Sequence, residues 1–295
     1  MNLPMKISIV TVCYNMEKTI EETILSVLNQ HYPNLEYIIV DGGSTDGTME
    51  IVDRYRKQLA TVISEPDNGM YDALRKGFNV SSGEVLAWIN ADDEYLPWTF
   101  KFVNEVFSQF SDVNWIGGIP MFMDENRVVT DCFPCPGSKK QKEIAKGCYQ
   151  TRMYGCLQQE GMFWRRSLYE LSGGLDLNYR YAGDFDLWCK FAKFSELYQV
   201  SIPLGVFMRR KDSLSIGGND KYDAEVKQIS NRLGFSYNIF YRIASKSRVL
   251  INLLRLITFR RAPIICYSVL KSQWQVTRMI RSVSYHTLLS LRINH

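Results

Sequence analysis

The stretch EVLAWINADD, residues 84–93, decides the fold. Leu86, Trp88 and Ile89 read as a buried strand, yet the run stops on two adjacent carboxylates, Asp92 and Asp93. Glu94 follows, and Pro97 suits the first turn of the next helix. Like charges side by side at a strand end have two readings. One is a solvated turn or helix N-terminus, where acids complement the dipole. The other is a hard-cation site, because Mg2+ or Mn2+ takes one or two carboxylates and completes its shell with water and substrate phosphates. A calcium loop is a poorer match: neither Asn90 onward nor Asp41 onward has Gly at the sixth and Glu at the twelfth position.

Working outward, the same unit of strand and polar turn repeats toward the N-terminus. Residues 5–12, 35–43 and 61–66 read as strands, and 20–30, 48–59, 70–80 and 97–110 as helices. Thr19 with Glu22, and Ser167 with Glu170, match the capping box. Strands alternating with helices of this length imply right-handed crossovers and a largely parallel sheet, an α/β fold. Ligands bind such sheets beyond the carboxyl ends of the strands. That gathers Cys13–Asn15, Asp41–Asp46, Glu65–Asn68 and Asn90–Asp93 along one rim. Farther on, residues 114–134 suggest strands turning at Asp124–Asn126, 183–194 a helix, 198–210 a strand and 222–233 a helix.

DGGSTDGT, residues 41–48, lacks both the GxxxxGK[ST] and the GxGxxG pattern, so it does not qualify as a phosphate cradle by itself. Asp41, at the end of its strand, is placed to accept from a ribose hydroxyl or a base N–H. Seven cysteines include no CxxC pair apart from Cys132-Phe133-Pro134-Cys135, which has no partner cluster; reduced thiols in the cytosol are the expectation, not a zinc site. The N-terminal residues show no signal-peptide pattern, and no uncharged apolar run reaches the roughly 18–20 residues that a membrane span needs.

The ordered segments IVTVCYN, IIVDGGSTDGT, SEPDNGMYDALRKGF, SGEVLAWINADD and AGDFDLWCKFA resemble the inverting family 2 glycosyltransferases, over about Lys6 to Arg210. The resemblance implies a GT-A fold and a nucleotide-sugar donor, in an enzyme of bacterial polysaccharide biosynthesis. It implies that Asp93, assisted by Asp92, holds a divalent metal (Mn2+ or Mg2+) on the donor diphosphate. It places Thr11, Cys13, Tyr14, Asn15 and Asp41 at base and ribose, and Asp67 and Asn68 along the same pocket. Arg75 or Lys76 is matched to phosphate, with Asn90 and Ala91 in the metal motif. Asp184 matches the general base. Two departures stand out: Asn90 replaces the Asp that opens the metal motif in many relatives, and Gly183 replaces the Glu before the base. The QxxRW motif of the processive synthases is absent, which argues for addition of a single sugar.

Residues 156–170 resemble the segment that such enzymes place beside the acceptor. Gln158, Gln159, Glu160 and Trp164 could bind sugar by hydrogen bonds and stacking; for Trp164 and Trp188, core packing is an equal reading. Asp186 reads as structural, fixing its helix or Arg209. Arg209, Arg210 and Lys211 reach an acceptor phosphate or are solvated.

Charge divides the chain. Twelve of the 35 Lys and Arg and none of the 31 Asp and Glu lie in 226–295, so an acidic body precedes a basic tail. Domains are expected at 1–225 (a donor half, 1–113, and an acceptor half, 114–225) and at 226–295. The tail mixes Leu, Ile, Trp and Tyr with its basic residues, a pattern that suits helices lying in a membrane interface. An oligomer interface and a helical cover on the main domain are the other readings; nucleic acid lacks a recognisable module. Peripheral association with the cytoplasmic face of the membrane would bring the enzyme to a lipid-linked or oligosaccharide acceptor. Two rivals stay open: a sugar-phosphate nucleotidyltransferase, which wants a Gly-rich loop after the first strand where this chain has CYNMEKT, and a catalytically inactive sugar-nucleotide-binding or scaffolding protein.

Overall fold

A computed structural model describes residues 4–132, 141–148, 157–210, 219–235, 262–268, 271 and 273–279. Four apolar strands, β1 (Ile7–Cys13), β2 (Leu35–Asp41), β3 (Thr61–Ser64) and β4 (Val85–Asn90), pair in parallel in the order β3-β2-β1-β4. Helices α1 (Ile20–Leu28), α2 (Thr48–Tyr55) and α3 (Met70–Val80) supply the crossovers. β1 is buried at every position, which is why it reads as an unbroken apolar run instead of an alternation. α3 lies unusually close to the sheet at Gly77, where a Cβ would stand 2.5 Å from Cγ1 of Val10.

Beyond β4 the sheet reverses and continues. The antiparallel strand β9 (Met162–Arg165) joins β4 to β6 (Trp115–Gly117); β10 (Tyr198–Val200) and β12 (Ala262–Ser268) then pair in parallel, and β13 (Gln273–Met279) closes the order. α4 (Thr99–Gln109), α5 (Gln141–Ala145), α6 (Arg166–Ser172) and α7 (Gly183–Phe194) complete this half. A small second sheet orders β5 (Glu94–Tyr95), β11 (Gly205–Met208), β7 (Met121–Met123) and β8 (Val129–Cys132) as β5-β11-β7-β8. Helix α8 (Asn219–Arg232) packs on α7.

The expected α/β sheet, mostly parallel, is present, and several finer expectations are corrected. Neither capping box forms. The Thr19 hydroxyl reaches instead to the Ala91 carbonyl at 2.7 Å, and Thr23 to that of Asp93 at 2.8 Å, so α1 holds the Asn-Ala-Asp-Asp turn. α6 begins at Arg166, with Arg165 at its N-cap and no side-chain cap. The strand expected over 198–210 is two strands in different sheets, separated around Pro203.

The C-terminal region is neither wholly helical nor a separate domain over its described part. The boundary at 225/226 falls inside α8, and β12 and β13 form a hairpin that extends the main sheet through β10. β-branched Ile264 and Ile265 suit a strand. Trp274 alternates with exposed Gln273 and packs edge-on against Phe102, ring centroids 4.6 Å apart. The remaining tail residues of the amphipathic reading lie outside the described residues. Among those described, no helix is long and apolar enough to cross a membrane.

Candidate active site

The polar strand ends meet where the sequence reading put them. Cys13, Tyr14 and Asn15 at the end of β1, Gly42 after β2, Asp67 after β3 and Asn90–Asp92 at the end of β4 line one cavity of about 830 Å3. Its opposite wall comes from the second half of the chain: Gln159 and Glu160 ahead of β9, the Arg180–Tyr181 loop with Asp184 at the start of α7, and Arg210 just after β11.

The acid pair splits. Asp92 faces the cavity and pairs with Arg210 at 3.0 Å. Asp93 is fully buried; Oδ1 accepts from the Met208 amide at 2.9 Å and Oδ2 from the Asn90 side-chain amide at 3.1 Å. Burial first, then Asp92 and Glu160, push its carboxyl well above the usual range. Asp93 therefore does not line the cavity where the metal role was expected of it; of the pair, only Asp92 does. The two side chains diverge because the strand ends at Asn90 and the chain turns beneath them.

Other residues expected at the donor also lie off the cavity. The Thr11 hydroxyl pairs with that of Tyr37 at 3.0 Å inside the core. Asp41 is fully buried, and its carboxylate is taken up by its own turn: by the amides of Gly43 and Ser44 and the hydroxyls of Ser44 and Ser64, at 2.5–3.2 Å. Asn68 and Arg75 turn to Asp72, and Lys76 to Glu65, Asp72 and the Pro66 carbonyl, so none of the three lines the cavity. Asp72 draws the two cations because it precedes them by three and four residues on α3.

Among the acceptor expectations, Gln159 and Glu160 line the cavity and Gln158 lies behind it, within 3.4 Å of the Met121 carbonyl. Trp164 and Trp188 belong to the core. Neither is exposed, and Trp188 stacks on Trp88 with centroids 5.6 Å apart and planes 6° from parallel. Arg209 points away, over the Phe122 ring and onto Asp131 at 2.5 Å. Lys211 lies outside the described residues. Asp186 is structural as expected, but its partners are Lys190 and Arg232, not Arg209.

Asp184 sits in the first turn of α7 and lines the cavity. Burial lifts its carboxyl to about 6, against the Phe185 amide and the Tyr71 hydroxyl, which stabilise the charged form. The Tyr71 hydroxyl is 3.1 Å from Asp184 Oδ1 and 3.2 Å from the Tyr181 carbonyl. Glu225 of α8 accepts the amides of Arg180, Tyr181 and Ala182 at 2.8–2.9 Å, anchoring the loop that leads into Asp184. Glu160 is raised to about 7 by burial, and its Oε2 is buried without a hydrogen-bond partner. The sequence reading missed Tyr71, Arg180, Tyr181 and Glu225 as contributors. MYDALRKGF was read as a helix carrying Arg75 or Lys76 toward phosphate, and nothing local marks its tyrosine as reaching a residue 113 positions away.

The donor set is all oxygen and suits a hard cation. Among the described residues no group of three or more His, Cys, Asp or Glu is placed to hold a metal ion. Of the described acids, Asp92, which lines the cavity beside Arg210, is the one that would hold such a cation, with substrate oxygens and water supplying the rest of the shell.

Comparison with known proteins agrees with the fold. The family described as Glycosyl transferase family 2 matches residues 8–165. An uncharacterized glycosyltransferase of Nostoc sp. is 31% identical over 170 residues, covering 56% of this chain and 52% of the relative, so the chain spans about half of that protein's length. The UDP-Glc:alpha-D-GlcNAc-diphosphoundecaprenol beta-1,3-glucosyltransferase WfaP of Escherichia coli is 25% identical over 143 residues, covering 48% of this chain and 56% of the relative. The crystal structure of S. aureus TarS 1-349 in complex with UDP-GlcNAc superposes with a TM-score of 0.60 at 19% identity, over 79% of this chain and 74% of that one, a likeness of fold. The fold is GT-A.

Proposed function

We propose that this chain, which belongs to glycosyl transferase family 2, is an inverting transferase that moves one sugar from a nucleotide-sugar donor to a glycan acceptor carried on a lipid. The observation that carries the reading is the cavity itself: the Asp92–Arg210 ion pair and Asp184, a half-buried carboxylate raised to about 6, line the same space. A base needs a pKa near the working pH, and desolvation of Asp184 supplies one. The family match ends at residue 165, so the role of Asp184 rests on this geometry.

In the reaction, Asp184 takes the proton of the acceptor hydroxyl as that oxygen attacks the anomeric carbon. The carbon–diphosphate bond breaks on the opposite face and its electron pair leaves with the diphosphate. Backside attack inverts the anomeric centre. Arg210 faces the cavity as a fixed positive group suited to phosphate. Asp92 is the residue that would hold Mg2+ or Mn2+, which when bound neutralises charge on the diphosphate. Asp67 and the Cys13–Asn15 segment line the donor side; Gln159 and Glu160 line the acceptor side.

The nucleotide-sugar complex of TarS and the lipid-diphosphate acceptor in the name of WfaP support the donor and acceptor classes. The basic C-terminal stretch supports peripheral membrane attachment, which would present such an acceptor. Calorimetric titration with UDP, GDP, dTDP and CMP, each with Mn2+ and with chelator, tests the donor class. Metal-dependent binding of one nucleotide, lost in Asp92→Ala, is the expected result. No binding of any nucleotide would favour the scaffolding reading.

A further inference from the structure

Gly183 and Tyr71 fit each other at the cavity wall. A Cβ on Gly183 would stand 2.8–2.9 Å from three atoms of the Tyr71 ring, closer than carbon atoms pack. The ring is buried, 3% exposed, and its hydroxyl lies at the first turn of α7 within 3.1 Å of Asp184 Oδ1. A side chain at 183 would force the Tyr71 ring, or the backbone beside it, to shift.

We infer that Tyr71 is the positioning residue for Asp184: its hydroxyl fixes Oδ1, leaving Oδ2 to receive the proton of the acceptor hydroxyl, and the glycine at 183 exists to admit the ring. This rests on the reading of Asp184 as the base. The phenol has one hydrogen and two acceptors in reach, the Tyr181 carbonyl at 3.2 Å and Asp184. With Asp184 ionised, the charged oxygen is the stronger acceptor. After proton transfer the carboxyl is neutral on Oδ2, while Oδ1 still accepts from Tyr71, so the geometry survives the chemical step. The phenol proton never leaves, because burial and the neighbouring Asp184 hold the Tyr71 pKa high. The groups facing Asp184 are Tyr71 from α3, Glu225 from α8 and Glu160 ahead of β9. Burial and Glu225 oppose its charge; Tyr71 and the Phe185 amide favour it.

The test is a carboxyl-carbon NMR titration of the full chain labelled at aspartate, with the Asp184 signal identified by its loss in Asp184→Asn. Tyr71→Phe keeps the ring and removes the hydroxyl; the Asp184 midpoint should rise by about one pH unit, the worth of one hydrogen bond to a charge. An unmoved midpoint overturns the inference. Gly183→Ala should raise the midpoint as well, by displacing the ring, and the double variant should shift no further than Tyr71→Phe alone; additive shifts would overturn it. Turnover separates this inference from the reading it rests on. In hydrolysis of UDP-N-acetylglucosamine with Mn2+, full activity of Asp184→Asn removes the base, and Tyr71's role with it. An inactive Asp184→Asn beside a Tyr71→Phe that titrates like wild type removes the role of Tyr71 alone.

Discussion

Asp92 and Asp93 are consecutive, yet they bond differently: Asp92 pairs with Arg210 in the cavity lining at 3.0 Å, and Asp93 accepts from the Met208 amide at 2.9 Å beneath it. The opening puzzle of two like charges side by side resolves into one cavity-facing carboxylate and one buried beneath it. Burial, with Asp92 alongside, pushes the Asp93 carboxyl up, which disfavours two full charges on the pair.

That division gives the first prediction. Asp92→Ala should abolish metal-dependent nucleotide binding while leaving the urea midpoint nearly unchanged. Asp93→Ala should lower stability by about 1–3 kcal/mol, because it leaves the Met208 amide buried without an acceptor. Parallel calorimetry and denaturation of the two variants check it; reversed phenotypes would restore Asp93 as the metal ligand.

Asp184→Asn should reduce kcat by roughly 10²–10⁴-fold with nucleotide affinity retained, the usual contribution of a positioned base. In the wild type, kcat should rise with pH through an apparent pKa near 6, as the base loses its proton. A pH–rate profile flat from pH 5 to 8 would contradict the assignment.

The same group predicts a stability effect with a definite sign. The pKa of Asp184 is raised from 3.8 to about 6, so the folded state binds its proton more tightly than the unfolded chain does. The stability linked to that proton is fully present below about pH 4 and is lost as pH rises through 6, on the order of 3 kcal/mol. Asp184→Asn should therefore be more stable than wild type at pH 8 and nearly equal to it at pH 4. Thermal melts across that range measure the difference.

Glu225 ties three consecutive amides ahead of α7, at 2.8–2.9 Å. Glu225→Ala should cost about 2–3 kcal/mol, since these hydrogen bonds run to a charged acceptor, and should lower kcat through the loosened Arg180–Ala182 loop. Glu225→Gln should recover part of both. Hydrogen exchange at residues 180–184 reads the loosening directly.

Trp164→Ala and Trp188→Ala should each destabilise by about 3–5 kcal/mol, as large core truncations do. Acceptor KM in whatever folded fraction remains should be unchanged, because both rings are fully buried. A raised KM at full stability would return them to the sugar site.

The sheet and its rim were legible because their signals are local. Unbroken apolar runs marked β1, β2 and β4, and the polar turns after them marked the edge where Cys13–Asn15, Asp67 and Asn90–Asp92 now line one cavity. The helix opening on Gly183 was also legible, from its own periodicity and acids. The C-terminal hairpin was less so. Basic residues interleaved with apolar ones fit an amphipathic helix as well as an edge strand, and pairing of β12 with β10, more than 60 residues earlier, decided between them.

The sequence by itself therefore determined the α/β order, the ligand rim and the residue types gathered there, all of which follow from the spacing of neighbouring side chains. Only the tertiary structure decided which of those side chains face the cavity. Asp92 was separated from Asp93 by the Met208 amide, 115 residues away, and Lys76 and Arg75 were drawn to Asp72 and away from the cavity. Asp41 was enclosed by its own turn and Ser64. The direction of a side chain depends on which distant donor or ring lies within a few ångströms of it, and that distance exists only once the chain has folded.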